Sequence, residues 1–189
     1  MKVLFIHGLA SSGAYKMASS LRILLKGCEV VAPDVPIDPR EALDLLKGIC
    51  RDECPDLIVG LSLGGFWAQK LRGYRKILVN PDFHISRLLR TMIGEREYLS
   101  PRRDGALTFI VTNALCDEYA RLEAAEFEEL SPEEIALTTG MFADRDEMVD
   151  CKDEFERFYP GRARSYPGTH LPNYPEIKKY ILPVIESGL

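Results

Sequence analysis

The sequence has no long hydrophobic run. No stretch approaches the roughly 20 apolar residues that a membrane-spanning helix needs. It also lacks an excess of positive charge. With 24 Lys and Arg against 29 Asp and Glu, the formal net charge is −5, and the basic footprint of a nucleic-acid binder is missing. The opening residues, MKVLFIHG, hold one lysine and four consecutive apolar side chains. They lack the longer apolar core and cleavage site of a secretory signal, and they read as a buried strand. Cysteine is sparse and scattered. Cys28, Cys50, Cys54, Cys116 and Cys151 are odd in number and form no C-x-x-C pair. Neither a zinc site nor a disulfide framework is indicated, and reduced thiols in a cytoplasm are expected. What remains is ordinary for a soluble protein, 46% hydrophobic and 28% charged over 189 residues. That is enough chain for one domain with a substantial core.

Strand-like and helix-like segments alternate along this chain. Val3–Ile6 reads as a short apolar strand, and Met17, Leu21, Leu24 and Leu25 then recur at helical spacing. Cys28–Ala32 is the next strand. A helix starts at Asp38, with Pro39 suited to its first turn and Glu41 at the capping-box position. Its buried stripe is Ala42, Leu45, Leu46, Ile49 and Cys50. Leu57–Leu61 is predicted as strand, Leu63–Leu71 as helix stopped near Gly73, and Ile77–Asn80 as strand. The rhythm breaks over residues 83–134, which read as an inserted helical segment with an acidic second half. It resumes with a strand at Ile135–Ala143, a helix at Asp150–Phe158 capped by Asp150, and a strand at Ala163–Tyr166. A last helix, capped by Asn173, carries Ile177, Tyr180, Ile181, Val184 and Ile185 on its inner stripe, and Pro183 is expected to kink it. Such alternation predicts a mostly parallel sheet with helices on both faces. Active groups in such sheets lie past the carboxyl ends of the strands.

Four places satisfy that condition. Gly60-Leu61-Ser62-Leu63-Gly64 is a G-x-S-x-G sequence with a predicted strand before it and a helix after it. That turn lifts the serine hydroxyl above the sheet and aims the next backbone N–H into the same space. The loop MFADRDEMVD offers Asp144, Asp146 and Asp150, of which Asp146 is favoured as an orienting acid. Asp144 and Asp82, the latter in VNPDF, are its rivals. His170, in YPGTHLP before the last helix, is the one of three histidines that follows both serine and acid in the order Ser, acid, His. The fourth place is the loop HGLASSG. Acyl transfer needs two N–H donors aimed at the oxyanion. The Leu63 N–H supplies one and the Leu9 N–H is the expected second, with His7 and Gly8 shaping the turn as structural residues. Trp67 and Phe66 read as core.

Taken together, FIHGLASSG, GLSLGGFWA, LVNPD, DRDEMVD and GTHLP resemble the α/β-hydrolase fold, and more narrowly the small bacterial YqiA/YcfP-type esterases. The resemblance spans nearly the whole chain and is weakest over about residues 84–134, where such proteins carry a variable lid. It implies a shortened hydrolase sheet lacking the first strands of larger relatives. It implies Ser62 as nucleophile, Asp146 as acid and His170 as base. The family's D-E-V pattern matches Asp146-Glu147-Met148, which supports Asp146 over Asp144.

The expected function is hydrolysis of small acyl esters or thioesters through an acyl-enzyme, with no metal or organic cofactor. The expected partner is a small-molecule substrate, and the chain is expected to be a monomer or homodimer. A binding protein on the same fold, and a peptidase or lipase on the same triad, are the alternatives. A carboxylate-nucleophile hydrolase is disfavoured because Ser62 occupies the turn. Within the insertion Leu88, Leu89, Met92, Ile93, Leu107, Phe109 and Ile110 are candidates to cover an acyl chain. Its acids, if they face the pocket, would disfavour anionic substrates. Arg102 and Arg103 would do the reverse for a phosphate-bearing thioester.

Overall fold

A computed structural model describes residues 1–187. The chain runs β1 (Lys2–Ile6), α1 (Lys16–Leu24), β2 (Glu29–Val31), α2 (Pro39–Glu53), β3 (Leu57–Leu61), α3 (Leu63–Lys70) and β4 (Lys76–Val79). It continues with α4 (Ile85–Arg90), β5 (Gly94–Glu97), β6 (Thr108–Val111), α5 (Asn113–Ala124), α6 (Pro132–Leu137), β7 (Thr138–Ala143), α7 (Lys152–Phe158) and β8 (Ala163–Tyr166). The C-terminal helix has three parts: α8 (Tyr174–Glu176), a π turn over Ile177–Ile181, and α9 (Leu182–Glu186). Six strands form one sheet in the order β2-β1-β3-β4-β7-β8, and every pair in it is parallel. Among the described residues no helix is long and apolar enough to cross a membrane.

Strand alternation divides the core. Val3, Phe5, Leu57 and Val59 face α1 and the C-terminal helix, where Met17, Leu21, Ile177 and Ile181 cover them. Leu4, Ile6, Ile58 and Leu78 face the other way, onto Leu46 of α2 and onto Phe66 and Trp67 of α3. Strands buried on both faces need apolar runs, as the central β1, β3 and β4 largely are. The caps hold as expected at two helices. Asp38 accepts the N–H groups of Arg40 and Glu41 with Pro39 at the first position. Asn173 and Glu176 form a full capping box. Pro183 removes a backbone donor, and the preceding turn widens to π, with the Leu182 N–H reaching the Ile177 carbonyl.

Three expectations are corrected. Ile135–Ala143 is not all strand. Ser131 caps α6 by accepting the Glu134 N–H at 3.3 Å, Pro132 opens it, and Glu133 and Glu134 follow in the first turn, so a helix start precedes β7. Asp150 is not the cap of α7. The helix begins at Lys152 after the buried Cys151, and Asp153 and Glu154 in its first turn complement the helix dipole instead. The segment between β4 and β7 is not purely helical. Its β5 and β6 pair antiparallel, Gly94 opposite Val111 and Glu97 opposite Thr108. In β6, Phe109 and Val111 point inward while Thr108 and Ile110 are exposed, so one face of the pair is buried.

Candidate active site

The sheet order creates the site. From β1 the chain moves outward to β2, then crosses back to β3 on the other side of β1, so the loops after β1 and β3 part in opposite directions above adjacent strands. That divergence opens a crevice at the carboxyl edge of the sheet. Ser62 lies there, directly after β3, with φ 55° and ψ −120°. A non-glycine residue in that conformation is strained and is held by its surroundings. The Ser62 N–H continues the strand ladder to the Val79 carbonyl at 3.0 Å, and the Ser62 carbonyl accepts from the Gly65 N–H at 2.8 Å as α3 begins. The flanking glycines are needed for close approach. A Cβ on Gly60 would stand 2.2 Å from the Gly64 carbonyl oxygen, and one on Gly64 would stand 2.0 Å from that of Ile6.

His170 reaches this serine from the loop after β8. Its Nε2 is 2.9 Å from Ser62 Oγ, and its Nδ1 is 2.7 Å from Asp146 Oδ2. A carboxylate can only accept, so Nδ1 carries the proton and Nε2 is free to accept from the hydroxyl. The other oxygen of Asp146 accepts the N–H groups of Met148 and Val149 at 2.9 and 3.0 Å, which fixes the carboxylate in the loop after β7. His170 and Asp146 expose only 6% of their side chains. The two rival acids have other partners. Asp144 accepts from the Gly168 N–H at 3.1 Å, bracing the histidine loop against β7. Asp82 accepts from the His84 N–H at 2.9 Å, and burial raises its carboxyl above the usual range.

Sequence reasoning missed Asn80, which it placed inside a strand. Asn80 takes φ 44° at the end of β4 and is buried. Its amide donates to the Tyr166 hydroxyl at 3.0 Å, the Thr169 carbonyl at 3.2 Å and the His170 carbonyl at 2.8 Å, while its oxygen accepts the Ala143 N–H at 2.8 Å. One side chain thus ties β4, β7 and the histidine loop together. The signal was an asparagine directly after an apolar strand, a residue type that tolerates left-handed backbone.

The loop after β1 lies against the serine. A Cβ added to Gly8 would be 3.3 Å from Ser62 Cβ. His7 shapes this loop. Its Nδ1–H donates to the Gly8 carbonyl at 2.8 Å and its Nε2 accepts the Val35 N–H at 2.9 Å, a pairing that needs a neutral ring. Burial holds His7 down to about 4. Because the Gly8 carbonyl and the Leu9 N–H belong to one planar trans peptide, fixing the carbonyl turns the N–H the opposite way. Among the described residues neither the Leu9 nor the Leu63 N–H has an acceptor; Leu9 lines the cleft that holds Ser62, and both residues line a small cavity next to it.

Ser62 and His170 open onto a cleft of about 690 Å³. Of the insertion residues expected there, Leu88 and Met92 line it. Leu89 and Phe109 are core, and Ile93, Leu107 and Ile110 point to solvent. None of the insertion's acids lines the cleft. Asp117 pairs with Arg90 at 2.6 Å, Glu118 with Arg40 at 2.5 Å, and Glu126 with Lys70 at 2.5 Å. Glu123 accepts from both the N–H and the hydroxyl of Ser86. Arg102 does not face the cleft either. Its guanidinium donates to the Ser11 and Val35 carbonyls, pairs with Asp104 at 3.0 Å and lies 4.4 Å over the Tyr98 ring. One set of side chains has metal-type donors, His84, Cys151 and Glu154, all within 4.8 Å of one another. His84 Nε2 and Glu154 Oε2 share a hydrogen bond at 2.7 Å, and burial pushes the Cys151 thiol up to about 12.

Comparison with known proteins agrees with this architecture. The Arabidopsis methylesterase MES16 superposes with a TM-score of 0.65 at 12% identity, covering 99% of both chains. The esterase domain of a Rhodothermus marinus protein superposes at 0.63 with 16% identity, covering 99% of this chain and 85% of that one. The fold is the α/β-hydrolase fold with a six-stranded sheet. In sequence, a UPF0227 protein of Shewanella sediminis (strain HAW-EB3) is 26% identical over 92 residues, 43% of this chain and 51% of that protein, so the match spans about half of that relative. The model of the uncharacterised protein family UPF0227 matches residues 2–183, nearly the whole length, and the chain belongs to that family.

Proposed function

We propose that the protein is a serine hydrolase that cleaves carboxylic esters or thioesters of small acyl substrates through an acyl-enzyme. The observation that carries this reading is the continuous line of contacts from Ser62 Oγ through both nitrogens of His170 to Asp146, at 2.9 and 2.7 Å, opening onto a cleft. His170 Nε2 takes the hydroxyl proton as Ser62 Oγ bonds to the substrate carbonyl carbon. Asp146 keeps Nδ1 protonated and stabilises the imidazolium. The Leu9 and Leu63 N–H groups receive the developing oxyanion, a role in which one lost donor costs about 10²–10³ in rate. The scissile C–O or C–S bond then breaks, and His170 passes its proton to the leaving group. Water repeats the sequence: it gives a proton to His170, its oxygen bonds to the acyl carbon, and the proton returns to Ser62 Oγ as the acid leaves. These residues complete both half-reactions without a cofactor. The five free cysteines suit a reducing compartment such as the cytoplasm.

Turnover of short p-nitrophenyl esters tests the proposal. The wild type is expected to hydrolyse them, and Ser62→Ala is expected to lose on the order of 10³-fold or more in kcat. Equal rates in the two proteins would remove Ser62 from the chemistry. No turnover by the wild type, with small acyl compounds binding in the cleft, would favour a binding protein on this fold.

A further inference from the structure

We infer that the substrate carries an anionic group, a carboxylate or phosphate set apart from the scissile carbonyl, and that Lys16 binds it. The inference rests on the hydrolase reading above and specifies its substrate class. The cleft that opens from Ser62 is mostly apolar, with Ile85, Leu88 and Met92 on its wall and the exposed Leu99, Met148 and Leu171 at its rim. His170 aside, the residues lining it include one ionisable cation and no carboxylate: Lys16. The chain as a whole is acidic at −5, yet none of the insertion's acids lines the cleft, and Asp117, Glu118 and Glu126 are paired elsewhere.

Lys16 is solvent-exposed where it borders the cleft, so it is accessible to an incoming anion. It is the first residue of α1, where the helix dipole is positive and opposes a cation. The first turn of α1 has no acid and no side-chain cap. Among the described residues Lys16 forms no ion pair. Among the described residues, an exposed lysine and a helix start without a side-chain cap therefore border a mostly apolar cleft that no carboxylate lines. An amphiphilic ester answers both features. Its acyl chain covers the apolar wall and its anion supplies the missing charge, in a contact stronger than one between neutral groups. The Arg102 and Arg103 expected for this task do not line the cleft; Lys16, four residues past the Ser12 turn, does.

Two matched substrate pairs test this. The first is a p-nitrophenyl ester of a dicarboxylic acid, with its far carboxylate either free or capped as a methyl ester. The second is an acyl thioester of pantetheine with or without its phosphate. The readout is the ratio of kcat/KM, charged over neutral, for wild type and Lys16→Met, with active sites counted by fluorophosphonate titration. The ratio is expected to fall about tenfold in Lys16→Met for at least one pair, and to weaken with salt in the wild type. A fall in the first pair alone puts the anion on the acyl side; a fall in the second alone puts it on the leaving group. Neutral members turned over by both proteins with no change in either ratio would overturn the inference while leaving the hydrolase reading intact. No turnover of any member and no labelling of Ser62 would overturn the hydrolase reading, and this inference with it.

Discussion

Asp146 and Asp82 both end up near the serine, but they differ in what their oxygens touch. Asp146 spends one oxygen on two backbone N–H groups and the other on His170 Nδ1. Asp82 is turned toward the His84 N–H. An amide at position 146 would present the wrong tautomeric partner to His170, and Asp146→Asn is expected to lower kcat by about 10³–10⁴. Asn at position 82 keeps an acceptor for His84, so Asp82→Asn is expected to cost less than about tenfold. A larger loss in the Asp82 variant would reverse the assignment. His7 gives a pH prediction at the same scale. The folded ring titrates at about 4 against an ordinary 6.5, so between those values the unfolded chain holds more protons. Stability is then complete above 6.5 and declines as pH falls toward 4, by about 3 kcal/mol in all. Denaturant unfolding across that window is the measurement, and His7→Asn is expected to flatten the decline. The candidate set Ser62, Asp146 and His170 was legible in the sequence because Ser62 follows the apolar β3 and the other two come in the order acid, then His, although β8 before His170 reads Ala-Arg-Ser-Tyr and is not an apolar run. Asn80 was not, because its role lies in four hydrogen bonds to distant chain.

At the scale of elements, legibility followed hydrophobic pattern. β1, β3 and β4 are buried on both faces and announce themselves as apolar runs. β5 reads Gly-Glu-Arg-Glu with three exposed residues, so nothing in its pattern marks a strand; its partner β6 supplies the buried face. The start of α6 was masked differently. Ile135 and Leu137 adjoin the apolar β7 and merge with it in a single run. That helix holds Glu134, whose carboxylate pairs at 2.7 Å with the ammonium of the fully buried Lys76 at the start of β4 and also accepts the Gly73 N–H. Burial lowers Lys76 and the glutamate offsets it. Glu134→Ala leaves a buried cation without its partner, and a loss of about 3–5 kcal/mol is expected. Lys76→Met combined with Glu134→Leu is expected to recover most of it. Equal instability of the single and double variants in urea titrations would show that the pair is not the cause.

For the whole molecule, the chain order Ser62, Asp146, His170 maps onto β3, β7 and β8, successive positions across one half of a parallel sheet with β4 between the first two. Parallel strands deliver every following loop to the same edge, which is why a one-dimensional pattern could select candidate residues that meet in three dimensions. What the pattern could not supply was the cleft. Its walls come from the loop after β1, the start of α1 and the insertion, and their meeting is set by packing, as in the Leu99 N–H donating to the Ala10 carbonyl at 2.7 Å. Whether this arrangement makes Ser62 a nucleophile is tested by treating the intact protein with a fluorophosphonate and mapping the adduct by peptide mass spectrometry. One stoichiometric adduct is expected, on the peptide containing Ser62, and none in Ser62→Ala. An unlabelled wild type, or an adduct that persists in Ser62→Ala, would contradict that role for Ser62.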